Sequence, residues 1–268
     1  MSQAVRLGTT KRGFAKLVGS PTLPNPMSLV RLAGGLLCTG VLVAAMVPLL
    51  LLLLPWRVAR IRVTNAFGSA IGRSVMWCSG CTVTVHGAEN VSADRPAIYA
   101  GNHTSILDAF TTIWLTPRGT VGVAKKEVFY YPFYGQAWWL AGHVFVDRAR
   151  SERAKTALRR TAGFLRRKSL HLCILPEGTR SESGHLLPFK KGIVHLALET
   201  KLPIVPMVTV GLEGVWRRGS WRVRPAAVTI TFLPPIPTTA WSEERIDAQL
   251  DELRAPFLRA LPASHQPA

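Results

Sequence analysis

The sequence predicts an α/β domain, a mostly parallel mixed sheet flanked by helices, joined to an N-terminal membrane-anchoring helical segment. Three observations carry that expectation. Seven short apolar runs recur between residues 81 and 233, helical patterns separate many of them, and one stretch of 25 residues near the N-terminus holds no charge. Strands separated by helices need crossover connections, which favour parallel pairing.

Residues 1–31 are polar and basic and are interrupted by Pro21, Pro24 and Pro26, which reads as a flexible arm. The charge-free stretch Leu32–Trp56 follows. As a helix it would be roughly 37 Å long, against a hydrocarbon core of about 30 Å. It is too long for the apolar core of a signal peptide, and Pro55, Trp56 and Arg57 follow it in place of a small-residue cleavage site. Gly34, Gly35, Gly40 and Pro48 let it bend, so a spanning helix and a re-entrant hairpin both remain open. Five basic residues precede it (Arg6, Lys11, Arg12, Lys16, Arg31) and Arg57, Arg60, Arg62 and Arg73 follow, which gives no orientation bias. Residues 57–77 mix arginine with apolar residues and read as an interfacial helix. The membrane-anchoring segment is therefore placed at 32–77 and the α/β domain at 78–268.

Within that domain the expected strands are 81–86, 96–101, 120–125, 143–147, 171–175, 203–210 and 226–233. Helices are expected at 105–115, 151–168, 190–200 and 242–260. The stretch 148–168 holds nine basic residues and one acid, Glu152. Ala154, Leu158, Thr161 and Leu165 follow helical spacing, so an apolar side can pack while a basic side faces solvent or anionic headgroups.

Composition narrows the function classes. Lys and Arg number 33 against 15 Asp and Glu, a net charge of +18, yet 48% of residues are hydrophobic and 18% charged. Disordered chains combine high charge with low hydrophobicity, so disorder is excluded. A greasy, cationic chain points to a bilayer with anionic headgroups and not to nucleic acid. Four cysteines are too few for a disulfide scaffold and suit a reducing, cytosol-facing setting.

Two segments carry chemistry. In Asn102-His103-Thr104-Ser105-Ile106-Leu107-Asp108 an apolar run meets a helical pattern. His103 and Asp108 are about 140° apart on an ideal helix, so they can meet if His103 lies on the turn before the helix and Asp108 in its first turn, with Ser105 as the expected N-cap. A carboxylate on one ring nitrogen fixes the tautomer and leaves the other as a base. The same spacing also permits a plain capping box, with Asp108 on the Ser105 amide. The second segment, Leu175-Pro176-Glu177-Gly178-Thr179-Arg180-Ser181, again follows an apolar run. A glycine, a hydroxyl and an arginine at a strand end suit an anion. Arg148, Lys190 and Lys191 add basic groups. Cys78-Ser79-Gly80-Cys81 lacks a second pair or nearby histidine and reads as structural. Neither Ser105 nor Ser181 sits in a nucleophile elbow, which argues against a serine hydrolase. Trp138 and Trp139 suit an acyl groove, a headgroup interface or the plain core.

In order, the blocks NHTSILD, GHVFVDR, LPEGTRS and IVPMVTV resemble the four sequence blocks of the glycerolipid acyltransferase family, the lysophosphatidic acid acyltransferase group in particular. The resemblance covers about residues 75–215, including AKKEVFYYPFYGQ between the first two blocks; the first thirty and last fifty residues add nothing to it. It implies that His103 and Asp108 are the catalytic dyad. It implies that Glu177, Gly178, Thr179 and Arg180, with Arg148, bind the acceptor phosphate. The implied reaction moves an acyl group from acyl-CoA or acyl carrier protein to the sn-2 hydroxyl of a lysophospholipid, most directly lysophosphatidic acid, at the cytosolic face of a membrane (the inner membrane if bacterial). No metal and no cofactor beyond the acyl donor is implied. Another lysolipid or glycerol 3-phosphate as acceptor, and a non-catalytic lipid-binding protein, are the alternatives.

Overall fold

Strands buried on both faces need nearly continuous apolar sequence, and the central runs supply it. The computed structural model describes residues 25–131, 134–147, 151–216 and 220–267. Among these, seven strands form one sheet: β1 (Thr82–His86), β2 (Ile98–Gly101), β3 (Thr120–Lys125), β4 (Val144–Val146), β5 (His171–Ile174), β6 (Ile204–Val210) and β7 (Ala227–Phe232). Their order is β1-β7-β6-β2-β5-β3-β4. Every pairing is parallel except β6 with β7, so the sheet is mixed but mostly parallel, as expected.

Period-two alternation divides the core between the sheet's faces. On β2, Ile98 and Ala100 enter one apolar cluster and Tyr99 the other; on β6, Ile204 and Val208 separate from Val205 and Met207 in the same way. Helices cover both faces. They are α1 (Pro26–Leu52), α2 (Arg57–Cys78), α3 (Leu107–Leu115), α4 (Tyr134–Leu140), α5 (Ser151–Lys168), α6 (Gly192–Thr200), α7 (Leu212–Val215) and α8 (Ile246–Ala260). On α5, Leu158, Ala162 and Leu165 are buried while Arg153, Arg159, Arg160, Arg166 and Arg167 are exposed, as the charge pattern predicts.

Two features of the N-terminal segment differ from the sequence reading. The charge-free stretch starts its helix earlier, at Pro26, because Asn25 accepts the Ser28 amide at 2.7 Å and caps it. Helix α2, expected as an interfacial helix, packs one side into the protein. Ile61, Thr64, Asn65, Gly68, Ile71, Gly72, Val75 and Met76 are buried there. Glycine makes this possible: a Cβ on Gly72 would collide with the Phe110 carbonyl oxygen of α3. Buried Asn65 then ties α2 to the start of β3, accepting the Gly119 and Thr120 amides and donating to the Thr120 carbonyl at 3.1 Å. Arg57 donates to the Gly142 carbonyl and lies 4.2 Å over the Phe164 ring of α5. The flexible arm expected for the first residues lies outside the described residues up to residue 24.

Candidate active site

Parallel register brings the two chemical segments together. Ala100 of β2 pairs with Ile174 of neighbouring β5. His103 lies three residues beyond the first and Glu177 three beyond the second, so both leave the sheet at its carboxyl edge and at one level. The connections from β2 to β3 and from β5 to β6 diverge here to opposite sides. Such a crevice is the usual ligand site of an open α/β sheet.

The first loop is fixed from several sides. The Asn102 side chain exchanges two hydrogen bonds with the Thr209 backbone, at 2.7 and 2.8 Å, and so pins the end of β2 to β6. Helix α3 begins after His103, which leaves the imidazole free to turn back. Its Nδ1 lies 2.8 Å from Asp108 Oδ2. The same oxygen accepts the Thr104 and Ser105 amides at 2.7 and 2.8 Å. Oδ2 already accepts two N–H donors and faces the ring as an acceptor, so Nδ1 carries the hydrogen and Nε2 holds the lone pair. Asp108 is almost fully buried (2% exposed) and His103 is 18% exposed, which leaves the imidazole reachable from solvent.

The two sequence readings of Asp108 therefore coexist on one atom: it meets the imidazole and it ties the turn. Ser105 is not the N-cap, which is Ile106. Its hydroxyl accepts the Leu107 amide at 3.3 Å and donates to the Trp216 carbonyl at 3.0 Å.

The second loop divides into a structural half and an open half. Glu177 is 1% exposed. Its Oε1 accepts the His103 amide at 2.6 Å and its Oε2 the Leu187 amide at 2.9 Å. The Ser181 amide returns a bond to the His103 carbonyl at 2.8 Å. Glu177, which the family resemblance assigns to the acceptor phosphate, here clasps the backbone of His103. Burial pushes its carboxyl up to about 7, against the opposing pull of the Leu187 and His103 amides. Gly178 turns the chain at a φ of +75°, a left-handed conformation that favours glycine, and its amide bonds the Leu175 carbonyl. Thr179 is exposed and Arg180 half-buried, and neither side chain is engaged by a hydrogen bond or ion pair among the described residues. A free guanidinium beside the imidazole's loop suits a phosphate. Arg148 lies outside the described residues. Lys191 pairs with Asp247 at 2.7 Å, while Lys190 is exposed. Among the described residues no cluster of metal-ligating side chains occurs.

Comparison with known proteins follows the same lines. The model of the Acyltransferase family matches residues 82–210. A 1-acyl-sn-glycerol-3-phosphate acyltransferase from Cocos nucifera is 44% identical over 241 residues, covering 90% of this chain and 78% of the relative. The chain belongs to the 1-acyl-sn-glycerol-3-phosphate acyltransferase family. The human 1-acyl-sn-glycerol-3-phosphate acyltransferase alpha is 32% identical over 69% of this chain and 65% of that protein. The fold resembles the crystal structure of the 1-acyl-sn-glycerophosphate acyltransferase PlsC from Thermotoga maritima, with a TM-score of 0.68 at 21% identity, covering 88% of this chain and 96% of that one.

His103, Asp108 and Glu177–Arg180 all fall inside the span matched by the family model. Sequence reasoning missed the brace formed by Asn102 and Thr209 and the Trp216 carbonyl that holds Ser105. An asparagine directly after an apolar strand is the only local signal of the first. Nothing local signals the second, because Ser105 and Trp216 are 111 residues apart.

Proposed function

We propose that the chain is a membrane-bound 1-acylglycerol-3-phosphate O-acyltransferase. It moves a fatty acyl group from acyl-CoA or acyl carrier protein to the sn-2 hydroxyl of lysophosphatidate, giving phosphatidate. The observation that carries this reading is the imidazole of His103, held on Asp108 at 2.8 Å with its other nitrogen open, on a loop tied through the Ser181 amide to the one that carries the uncommitted Arg180. In this mechanism Nε2 takes the hydroxyl proton as the oxygen attacks the thioester carbonyl. The C–S bond then breaks and the imidazolium returns the proton to the thiolate. Asp108 stabilises the imidazolium while it exists. Arg180 grips the acceptor phosphate so that the hydroxyl lies near Nε2, a positioning effect that contributes several kcal/mol in well-ordered sites.

The membrane reading rests on α1. Leu29, Val30, Leu36, Leu37, Val41 and Leu52 are more than half exposed and share one side of the helix. The opposite side packs along α2, with Met46 and Leu50 buried. Crossing a bilayer with α2 packed along α1 would draw Arg62 and Arg73 of α2 into the hydrocarbon, where a charge is costly. Lying within one leaflet avoids that cost and still sinks the apolar side. The basic side of α5 adds attraction to anionic headgroups. Thioester carriers are cytosolic, which places the site on the cytosolic face.

The test is purified protein with acyl-CoA and a panel of lysophosphatidate, other lysophospholipids and glycerol 3-phosphate, with products identified by mass spectrometry. Phosphatidate formed only with lysophosphatidate supports the reading. Free thiol released without acceptor indicates hydrolysis, and no release indicates lipid binding alone.

A further inference from the structure

The span matched by the family model ends at residue 210, yet the chain beyond it returns to the loop that holds His103. Both sides of one residue on that loop are tied to the C-terminal segment. The Leu186 amide donates to the His265 carbonyl at 2.9 Å, and Arg254 of α8 donates to the Leu186 carbonyl at 3.4 Å. The next amide along, that of Leu187, is the one that Glu177 holds. Beneath it Phe189 meets Phe257 edge to face at 5.1 Å. The far end of the segment is clasped in turn. His265 Nε2 lies 3.0 Å from Glu213 Oε1 on α7, His265 Nδ1 meets the Ser264 hydroxyl, and the other Glu213 oxygen accepts the Gly211 amide. Helix α7 directly precedes Trp216, whose carbonyl holds Ser105.

We propose that His265 is a positioning residue for the acyl transfer. Clasped on Glu213, it fixes the C-terminal turn as a wall against which the loop 181–190 is held. That loop holds Glu177, and Glu177 holds the backbone of His103. No atom of His265 meets substrate. Its effect reaches the imidazole through three backbone amides, those of Leu186, Leu187 and His103. The contribution therefore appears in the chemical step and not in binding. This inference rests on the acyltransferase reading above.

The experiment compares wild type, His265→Ala and His265→Gln in detergent, with lysophosphatidate and acyl-CoA as substrates. It measures kcat, both KM values and hydrogen exchange of the segment 181–190. Glutamine can still donate to Glu213, so it tests the clasp apart from the ring. The expected result is a kcat for His265→Ala lowered about 5- to 20-fold, with both KM values within about twofold of wild type. Exchange over 181–190 should speed up at least tenfold, and His265→Gln should recover most of both losses. An unchanged kcat for His265→Ala, a change confined to KM, or faster exchange spread evenly over the whole chain would overturn the proposal. Should His265→Ala not fold, His265→Gln and Glu213→Gln still decide the matter: their kcat values must follow their exchange rates over 181–190, and a lack of correspondence overturns it. If wild type itself does not acylate lysophosphatidate, the acyltransferase reading fails on its own, and exchange over 181–190 alone then judges the clasp.

Discussion

Replacing Asp108 by Asn separates its two tasks, because the amide keeps one acceptor and loses the charge. The carbonyl oxygen of Asn can occupy the place of Oδ2 and still accept the Thr104 and Ser105 amides. That puts the NH2 where Oδ1 is now, a buried position with no hydrogen-bond partner among the described residues. An unsatisfied buried donor costs about 1–3 kcal/mol, so the variant should fold with a modestly lowered Tm. The catalytic loss is larger. An imidazolium 2.8 Å from an ionised carboxylate gains about 6 kcal/mol at an effective dielectric of about 20. The neutral amide dipole replaces part of that, leaving roughly 3–5 kcal/mol of lost transition-state stabilisation, or 10²- to 10⁴-fold in kcat. The acceptor KM should stay near wild type, because the charge matters only once the proton has moved. Steady-state acylation of lysophosphatidate, with Tm measured on the same preparation, tests this. A kcat within threefold of wild type would show that Asp108 only ties the turn and that His103 works without it.

Three further outcomes follow from the same geometry. Arg180→Ala should raise the KM for a phosphate-bearing acceptor about 10- to 100-fold, the value of one charge-assisted contact, and leave the donor KM alone; a rise in the donor KM instead would assign Arg180 to the carrier. For Glu177 the sign follows from burial, which holds its folded pKa at about 7 against an ordinary 4.5, so the folded state binds the proton more tightly and the resulting stability is whole below pH 4.5 and lost as pH rises through 7. Chemical denaturation should therefore show the gap between wild type and Glu177→Gln narrowing by about 3 kcal/mol between pH 4.5 and 8, and an equal gap at both pH values would contradict the burial argument. On α1, changing Leu36, Leu37 and Val41 together to Asn should leave Tm nearly unchanged, since all three are more than 60% exposed, yet weaken membrane retention in carbonate; each buried side chain is worth about 1.5–3 kcal/mol, and unchanged retention would show that this side of α1 does not contact lipid.

The strands and the longer helices of the α/β domain were legible because each is written locally, whereas the short helices α4 and α7 were not expected. Apolar runs such as Ile98–Gly101 and Ile204–Val210 are short and continuous, and α5 shows its apolar side every third or fourth residue. The pair of His103 and Asp108 was legible as a spacing but not as a geometry. Helical rotation alone sets the two residues apart, and only the late start of α3 at Leu107 lets the imidazole fold back. Glu177 could not be read locally at all. Its neighbours suggest an anion site, whereas its partners are fixed by the register of β2 against β5 and by Leu187, ten residues along a loop. The same holds for α2, whose arginines suggest a headgroup helix while Gly68, Gly72 and Asn65 commit it to the core. Composition reports the exposed side of such a helix and is silent about what the other side touches.

That division also indicates where substrate belongs. Asn102, Asp108 and Glu177 are buried, and each directs oxygen at backbone amides of the protein itself, so each holds a loop in place. His103 Nε2 and the Arg180 guanidinium are different: both lie on loops at the carboxyl edge of adjacent parallel strands, and neither is satisfied from within the described residues. Preorganised polar groups left unpaired are those a reaction can use without first breaking a protein hydrogen bond. A base and a cation so disposed suit an acceptor that carries a hydroxyl and a phosphate a few bonds apart.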